Sequence, residues 1–426
     1  MTHQKYVLYL HEDDNVDSTL EQAFLTRGFQ VHSCHLNDFN AQNLAKVAPV
    51  GILANINPDN LRFVDDIQAV FDHYQRPDIP VLGLLSSTLP VEVNIFDSVL
   101  LAPAYPEQII LRLQGLIRLR SMEQEINLRL TTLREDFGIQ PDLPKAKDPT
   151  RFNILFIGKA TPEFMVIINA LQKRNVNVVA AFTSFTAFEY LYEQTFDAVV
   201  MNGLGTIEPA KTIIETMRKN AKLYHVPTLM IVDPKSFSEH DAMFLKGLND
   251  FLDAGSNPEE ISSRIIEQAN FYRLHDRLKL DFGALGNDEC LDAGTSLYNR
   301  AFFNAHLARL NQFCSQNQQP LSLSLIRIKP KKGKSPAHLG DAYEQIGAML
   351  KNLLRMQDTV ARLEPNVFAV AFPGQDTEEL KPVADRLASV LRCASLTSYQ
   401  DGHPIHFDIE ITLNSLNQAE RKSHVA

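Results

Sequence analysis

Short apolar runs alternate with longer amphipathic stretches along the chain, and one series of them occurs twice, over residues 5–125 and 151–275. Each copy opens on an apolar run, Tyr6-Val7-Leu8-Tyr9-Leu10 and Ile154-Leu155-Phe156-Ile157. A helical stretch and a second run follow, Gln30-Val31-His32 and Val176-Asn177-Val178-Val179. Gly51-Ile52-Leu53-Ala54 and Ala198-Val199-Val200-Met201 make a third pair. The fourth pair follows a proline, at Pro80 through Leu85 and Pro227 through Val232. Strands that are apolar throughout and separated by helical stretches predict βαβ units and a parallel, doubly wound sheet buried on both faces. A long helix closes each copy, from near Pro106 and near Pro258.

The first closing helix runs past Leu130 with a stripe of Leu111, Leu113, Ile117, Leu119, Ile126 and Leu130, too long for one domain alone. Gln140 through Pro149 holds three prolines and no periodicity, which predicts a linker. The second closing helix carries Ile261, Ile265, Ala269, Tyr272, His275 and Leu278, spacing that suits docking on a neighbour or a short coiled coil. The pattern then changes to an alternating strand, Leu321 through Ile328, a helix after Gly340-Asp341, and a turn at Glu364-Pro365-Asn366. The expected units are 1–125, a helix extension and linker over 126–150, 151–275, a helix end and linker over 276–290, and 291–426.

Composition changes this picture little: 426 residues, 45% hydrophobic and 22% charged, suit a multidomain globular chain. A net charge of −10 argues against general nucleic-acid or membrane-surface binding. No apolar run reaches the roughly 18 residues that span a bilayer, and Met1 through Lys5 holds no secretory h-region, so no leader is expected. Cys34, Cys290, Cys314 and Cys393 are scattered without a CxxC pair, as expected of reduced thiols in a cytoplasm.

The repeated layout resembles the response-regulator receiver domain, twice. That resemblance implies an acceptor aspartate after the third strand, metal-binding acids after the first and a lysine before a later turn. The acceptor positions here are Asn55 and Asn202, and an amide is a poor nucleophile that brings no charge to a metal. The lysine positions are Ala102, before Pro103, and Ala254. The hydroxyl positions are Ser86 and Val232. Glu12-Asp13-Asp14 follows the first strand of copy one, where Gly158-Lys159 stands in copy two. These acids either hold a divalent cation or favour the start of the next helix.

The C-terminal segment Asp292 through Arg300, ending Leu297-Tyr298-Asn299-Arg300 before Phe302-Phe303, resembles the first segment of the diguanylate cyclase (GGDEF) family. The family's metal-binding strand end is here Arg327-Ile328-Lys329, cations in place of acids. Asp341 matches the guanine-reading aspartate. The signature turn reads Glu364-Pro365-Asn366-Val367-Phe368, and proline cannot take the positive φ that glycine allows. The resemblance therefore implies a degenerate cyclase with no metal site and no catalytic residues. Arg355-Met356-Gln357-Asp358 lies at the family's inhibitory-site position, with Arg386 as a second arginine. Arginine can fork onto the guanine O6/N7 edge while a carboxylate accepts from its N–H groups. The same pattern recurs as Arg62 to Asp65 and Arg273 to Asp276, so a plain helix-surface ion pair stands as the alternative. Arg362 with Lys329, Lys331, Lys332 and Lys334 reads as a solvated basic patch or a contact for a nucleotide or acidic partner.

The expected fold is α/β and α+β: two receiver-like parallel-sheet domains, then a degenerate GGDEF domain. The whole order resembles the receiver–receiver–GGDEF response regulators of the PleD group, with a degenerate PopA-type member as the nearest pattern. It implies no cofactor, cyclic di-GMP as a ligand at Arg355, Asp358 and Arg386, and protein partners in a bacterial signalling or localisation pathway. It also implies a homodimer, a cytoplasmic location and delivery to a cell pole by partners. The alternative is a ligand-free adaptor.

Overall fold

The computed structural model describes residues 5–12, 18–40, 44, 48–57, 62–76, 78–86, 95–102, 104–144, 151–233, 240–330, 339–394, 396–397 and 404–416. Asp13, Asp14, Pro103, Lys331, Lys332, Lys334 and the linker residues 145–149 lie outside them.

The first repeat contains β1 (Lys5–His11), α1 (Ser18–Thr26), β2 (Phe29–His35), β3 (Gly51–Ile56), α2 (Arg62–Tyr74), β4 (Val81–Leu85), β5 (Ser98–Leu101) and α3 (Pro106–Phe137). The second contains β6 (Asn153–Ile157), α4 (Pro162–Lys173), β7 (Asn177–Ala181), α5 (Ser184–Glu193), β8 (Ala198–Asn202), α6 (Glu208–Lys219), β9 (Thr228–Val232), α7 (His240–Leu245), β10 (Asp250–Asp253) and α8 (Pro258–Ala284). The sheets run β2-β1-β3-β4-β5 and β7-β6-β8-β9-β10. Every pairing in them is parallel. This is the flavodoxin-like order, whose crevices open at the carboxyl ends of the strands. Leu8, Ile52, Leu53, Leu82, Phe156, Val199 and Leu229 are wholly buried, because helices cover both faces.

The C-terminal unit contains β11 (Tyr298–Asn299), α9 (Arg300–Gln316), β12 (Leu321–Pro330), α10 (Gly340–Leu353), β13 (Thr359–Glu364), β14 (Val367–Pro373), α11 (Thr377–Cys393), β15 (Leu396–Thr397), β16 (Pro404–Ile405) and β17 (Phe407–Ser415). Its main sheet runs β11-β13-β14-β12-β17 and is mixed, with β12 antiparallel to both β14 and β17. Asn299 caps α9 by accepting from the Phe302 amide at 3.0 Å. Asp376 and Glu379 cap α11 reciprocally.

Helix α3 is 32 residues long and ends at Gly138, whose φ of 67° is the left-handed cap that glycine takes without strain. Its first half closes the first repeat: Ile109, Ile110, Leu113 and Leu116 pack under β1, β3 and β4. Its second half lies in another domain's core. Leu119, Met122, Ile126, Leu130 and Leu133 pack with Leu278 and Leu285 and with Phe302, Phe303, Leu310, Ala361, Ala369 and Ala371. Each such buried leucine, isoleucine, methionine or phenylalanine contributes about 1.5–3 kcal/mol of transfer free energy before entropy is subtracted. Helix α8 docks on α3 and α4.

The repeats are joined by a buried ionic cluster. Arg112 on α3 donates to Asp250 Oδ2 at 3.1 Å, Glu267 Oε2 at 2.7 Å and Ser98 Oγ at 2.8 Å. Arg264 donates to Asp250 Oδ1 at 2.7 Å, and Gln108 also bonds this carboxylate. The Asp250 side chain has no exposed surface. Breaking a buried pair by removing one partner costs about 3–5 kcal/mol, since the remaining charge stays buried. Asp250→Ala therefore brings forward the urea transition of the two-repeat unit by about that much. A loss under about 1 kcal/mol would show that the cluster does not hold the repeats together.

Candidate functional site

The carboxyl ends of β3 and β8 carry the two acceptor positions. Asn55 donates from Nδ2 to the Tyr9 hydroxyl at 3.2 Å. Beside it, Glu12 Oε2 accepts from the Asn57 amide at 3.0 Å, and the Glu12 carbonyl meets His35 Nε2 at 2.9 Å. Asn202 donates to the Lys159 carbonyl at 2.8 Å and accepts from the Leu204 amide at 2.9 Å. A Cβ added to Gly158 would fall 2.8 Å from Asn202 Cβ, so the second copy has no room there for an acidic side chain. Val232 is buried, whereas Ser86 and Ala102 are exposed and Ala254 is partly exposed. Both amides are thus tied into neutral bonds that brace their strand ends.

In the C-terminal unit the replaced signature turn still forms a hairpin. β13 and β14 pair antiparallel up to Glu364 opposite Val367, with a register shift between Arg362 and Glu364. Pro365 and Asn366 form its tip, and the Asn366 carbonyl accepts from the Ile328 amide at 2.9 Å. With Glu364 and Pro365 in the turn, the hairpin still closes. Arg300 clamps one side, donating to Glu364 at 2.8 Å and to the Leu363 carbonyl at 3.0 Å. Arg362 clamps the other, donating to Asp292 at 3.1 Å and the Pro365 carbonyl at 2.8 Å. Its guanidinium also lies 4.8 Å from the Tyr343 ring centroid. Arg362 is thus not part of a solvated basic patch; it is a hairpin brace. Lys329 is exposed opposite Asp408 on β17.

Arg327, where the family places a metal-binding acid, faces Glu410 at 3.7 Å. Asp341 is partly exposed in the first turn of α10. A guanidinium, an ammonium, an amide and a valine do not fit a Mg²⁺ ion, which needs carboxylate or similar oxygen ligands. Among the described residues no group of three or more His, Cys, Asp or Glu side chains converges as metal ligands would.

Arg355 and Asp358 form the turn between α10 and β13. Arg355 is exposed, and Asp358 is only 6% exposed. Asp358 Oδ2 accepts from the Arg355 amide at 2.9 Å, while Oδ1 is buried without a partner. Burial pushes this carboxyl up to about 7, against the pull of the Arg355 amide and charge. Arg386, exposed on α11, donates to the Leu353 carbonyl at 3.0 Å. The two arginines therefore present side chains to solvent from one corner of the domain. The carboxylate between them in sequence is turned inward.

What lies beneath Asp358 is α3. Arg129 donates to the Met356 carbonyl at 3.1 Å and Thr359 Oγ1 at 3.0 Å. Glu125 Oε1 accepts from Arg129 at 2.6 Å and from Thr359 at 2.9 Å, and sits 3.0 Å from His306 Nε2. Thr132 Oγ1 is 3.0 Å from His306 Nδ1. Burial alone would raise the Glu125 pKa, but Arg129 and His306 outweigh it and hold the carboxyl below its usual range. Sequence reasoning passed over this group. Its signal was Glu125 and Arg129 one helical turn apart, inside an apolar stripe.

Residues 289–425 match the family described as diguanylate cyclase, GGDEF domain. The response regulator PleD of Caulobacter vibrioides is 24% identical over 195 residues, 45% of this chain and 43% of PleD. The chain thus spans less than half the length of the curated relatives it matches. Among solved structures, the GGDEF domain of DgcB from Caulobacter crescentus, in complex with c-di-GMP, is 16% identical. It covers 30% of this chain and 77% of its own, with a TM-score of 0.28. The response regulator CheY4 of Vibrio cholerae is 16% identical, covering 28% of this chain and 99% of its own, with a TM-score of 0.25. The architecture is receiver-like, receiver-like, then GGDEF.

Asp358 supplies a pH test. With a folded pKa of about 7 and an ordinary value of 3.8, the folded chain keeps a proton that the unfolded chain releases between these limits. The contribution is fully present below the lower value and is lost as pH rises through the upper one. Asp358→Asn keeps an oxygen to accept from the Arg355 amide and removes the charge. It should be about 1 kcal/mol or more more stable than the parent at pH 8, equal at pH 4, with a flatter stability profile between. A variant less stable at pH 8 would mean that the carboxylate is accommodated as an anion.

Proposed function

We propose that the chain is a catalytically silent signalling protein that binds cyclic di-GMP without making it and acts through protein contacts. The observation carrying the first half is Arg327 facing Glu410, beside a turn whose tip is Pro365. A cation already paired with a carboxylate stands where Mg²⁺ and the substrate phosphates would need acids, and backbone cannot approach a nucleotide past a proline ring. Asn55 and Asn202, each bonded through its amide, leave no acceptor carboxylate in either receiver-like unit.

Ligand binding rests on Arg355 and Arg386, exposed at one corner. In this reading Asp358 shapes the turn, and the two guanidiniums meet guanine or phosphate. The partners would be proteins of a bacterial signalling or localisation pathway, reached in the cytoplasm by a monomer or homodimer. No helix among the described residues is long and apolar enough to cross a membrane. A second reading, the ligand-free adaptor, is favoured by the inward carboxylate of Asp358.

Incubation with GTP and Mg²⁺ or Mn²⁺ should yield no cyclic di-GMP, and acetyl phosphate should leave both receiver-like units unmodified; turnover in either assay would refute silence. Calorimetry with cyclic di-GMP should show micromolar binding that disappears in Arg355→Ala while circular dichroism is unchanged. Absence of heat up to high micromolar ligand would select the adaptor.

A further inference from the structure

A cleft of about 140 Å³ separates α3 from the second repeat, several times the share of liquid volume, about 30 Å³, that one water occupies. Arg118, His225, Asn249, Tyr272 and His275 are among its walls. It lies beside Pro227 and Asn249, immediately before β9 and β10. That is the amino-terminal edge of the sheet, opposite the strand end that carries Asn202, so the cleft is not a receiver phosphorylation site.

Its charge is one-sided. The His225 and His275 rings lie with centroids 4.6 Å apart, and His275 Nδ1 is buried without a hydrogen-bond partner. Arg118 is exposed on α3 and, among the described residues, takes part in no ion pair. Arg218, behind His225, donates to the carbonyls of Tyr224, Val226 and Gly247, Thr228 Oγ1 and Asn249 Oδ1, all neutral oxygens. The carboxylates nearby are already paired: Asp197 with Arg273 at 2.7 Å, and Glu267 and Asp250 with Arg112, itself a wall of the cleft, at 2.7 and 3.1 Å. Asp276, exposed on α8, adjoins Tyr272. Burial first, then His275, Arg118, Lys279 and Arg218, push His225 down to about 4. Both rings are thus neutral near pH 7, so Arg118, Lys279 and Arg218 supply the positive field of the cleft, and an anion bound there would draw protons onto the imidazoles. Arg355 lies close enough to Arg118 for their like charges to oppose each other.

We propose that this cleft is a binding site for a phosphate-bearing anion, held by Arg118, His225 and His275. Arginine offers a fork to phosphate oxygens, and each imidazole donates once protonated. The site does not depend on cyclic di-GMP binding at Arg355 and Arg386. The phosphate could be free, carried on a mononucleotide or part of a cyclic dinucleotide, and the experiment separates these.

The full chain is titrated with inorganic phosphate, GMP and cyclic di-GMP at constant ionic strength, following the His225 and His275 ring signals by NMR and the heat by calorimetry. At least one of these should move both rings and raise the His225 midpoint. Arg118→Gln, an exposed substitution, should weaken that binding at least about tenfold, while Arg355→Ala leaves it within about twofold. His275→Gln, checked by circular dichroism, should weaken it likewise. Rings unmoved by all three ligands would overturn the site, as would equal movement with chloride. Binding of cyclic di-GMP alone, lost on Arg355→Ala, would assign the cleft to the Arg355 turn and end the claim of a separate site.

Discussion

The structure depends on charges buried along one helix. Helix α3 places Arg112 against Asp250 and Glu267 in the second repeat, and Glu125 with Arg129 against His306 and Thr359 in the GGDEF domain. None of these α3 groups has solvent to fall back on, for Arg112, Glu125 and Arg129 are all buried. Undocking the second repeat would leave Arg112 without its carboxylates, a cost of several kcal/mol per ion unless water replaces them, and undocking the C-terminal domain would strip the intrahelical Glu125–Arg129 pair of its bonds to His306, Thr359 and the Met356 carbonyl. The apolar stripe through Leu119, Ile126 and Leu130 adds attraction without direction. The ionic contacts add direction, because a guanidinium fork and a carboxylate meet in few geometries. One rigid element thus fixes the register of three units.

That arrangement bears on the Arg355–Asp358 turn. Arg129 bonds the Met356 carbonyl inside the turn, and Thr359 next to Asp358 bonds Glu125. A ligand that drew the Asp358 carboxylate outward would have to break its bond to the Arg355 amide and disturb the Arg129 contact on α3. A ligand held by Arg355 and Arg386 alone would leave both in place. The turn and the helix that joins the units are therefore mechanically continuous, and this continuity gives a route from a surface ligand to domain docking.

Much of this fold was legible because its strands are buried on both faces. Val81 through Leu85 or Thr228 through Val232 cannot be amphipathic there, so the apolar runs stand out, and their alternation with helices leaves few topologies. The hairpin at Pro365 was legible in position and misleading in consequence. Its geometry survives because Arg300, Arg362 and the Ile328 amide hold it from outside the turn. Side-chain direction was the part that sequence could not reveal. Arg355 and Asp358 look alike as an exposed i,i+3 pair, but the amide of Arg355 draws the carboxylate inward, and only the packing of α3 decides what lies below. Likewise Arg118, His225 and His275 are far apart in sequence and meet only because α3 docks on the second repeat.

The magnitudes explain how the strand ends can carry such residues while the domain keeps its shape. Arg327 and Glu410 are both more than half exposed, and such surface pairs contribute about 0–1 kcal/mol. Acids, cations or amides can occupy that strand end with little effect on stability, since water solvates each of them. Asn55 and Asn202 are similarly neutral in cost, because each amide satisfies local oxygens or hydrogens that a carboxylate would satisfy only in part. The α3 positions are the opposite case, where one substitution strands a buried charge. Chemistry at the strand ends and docking along α3 are therefore governed by separate sets of residues. The geometry that joins the three units is set by Arg112, Glu125 and Arg129, whatever residues stand at the strand ends.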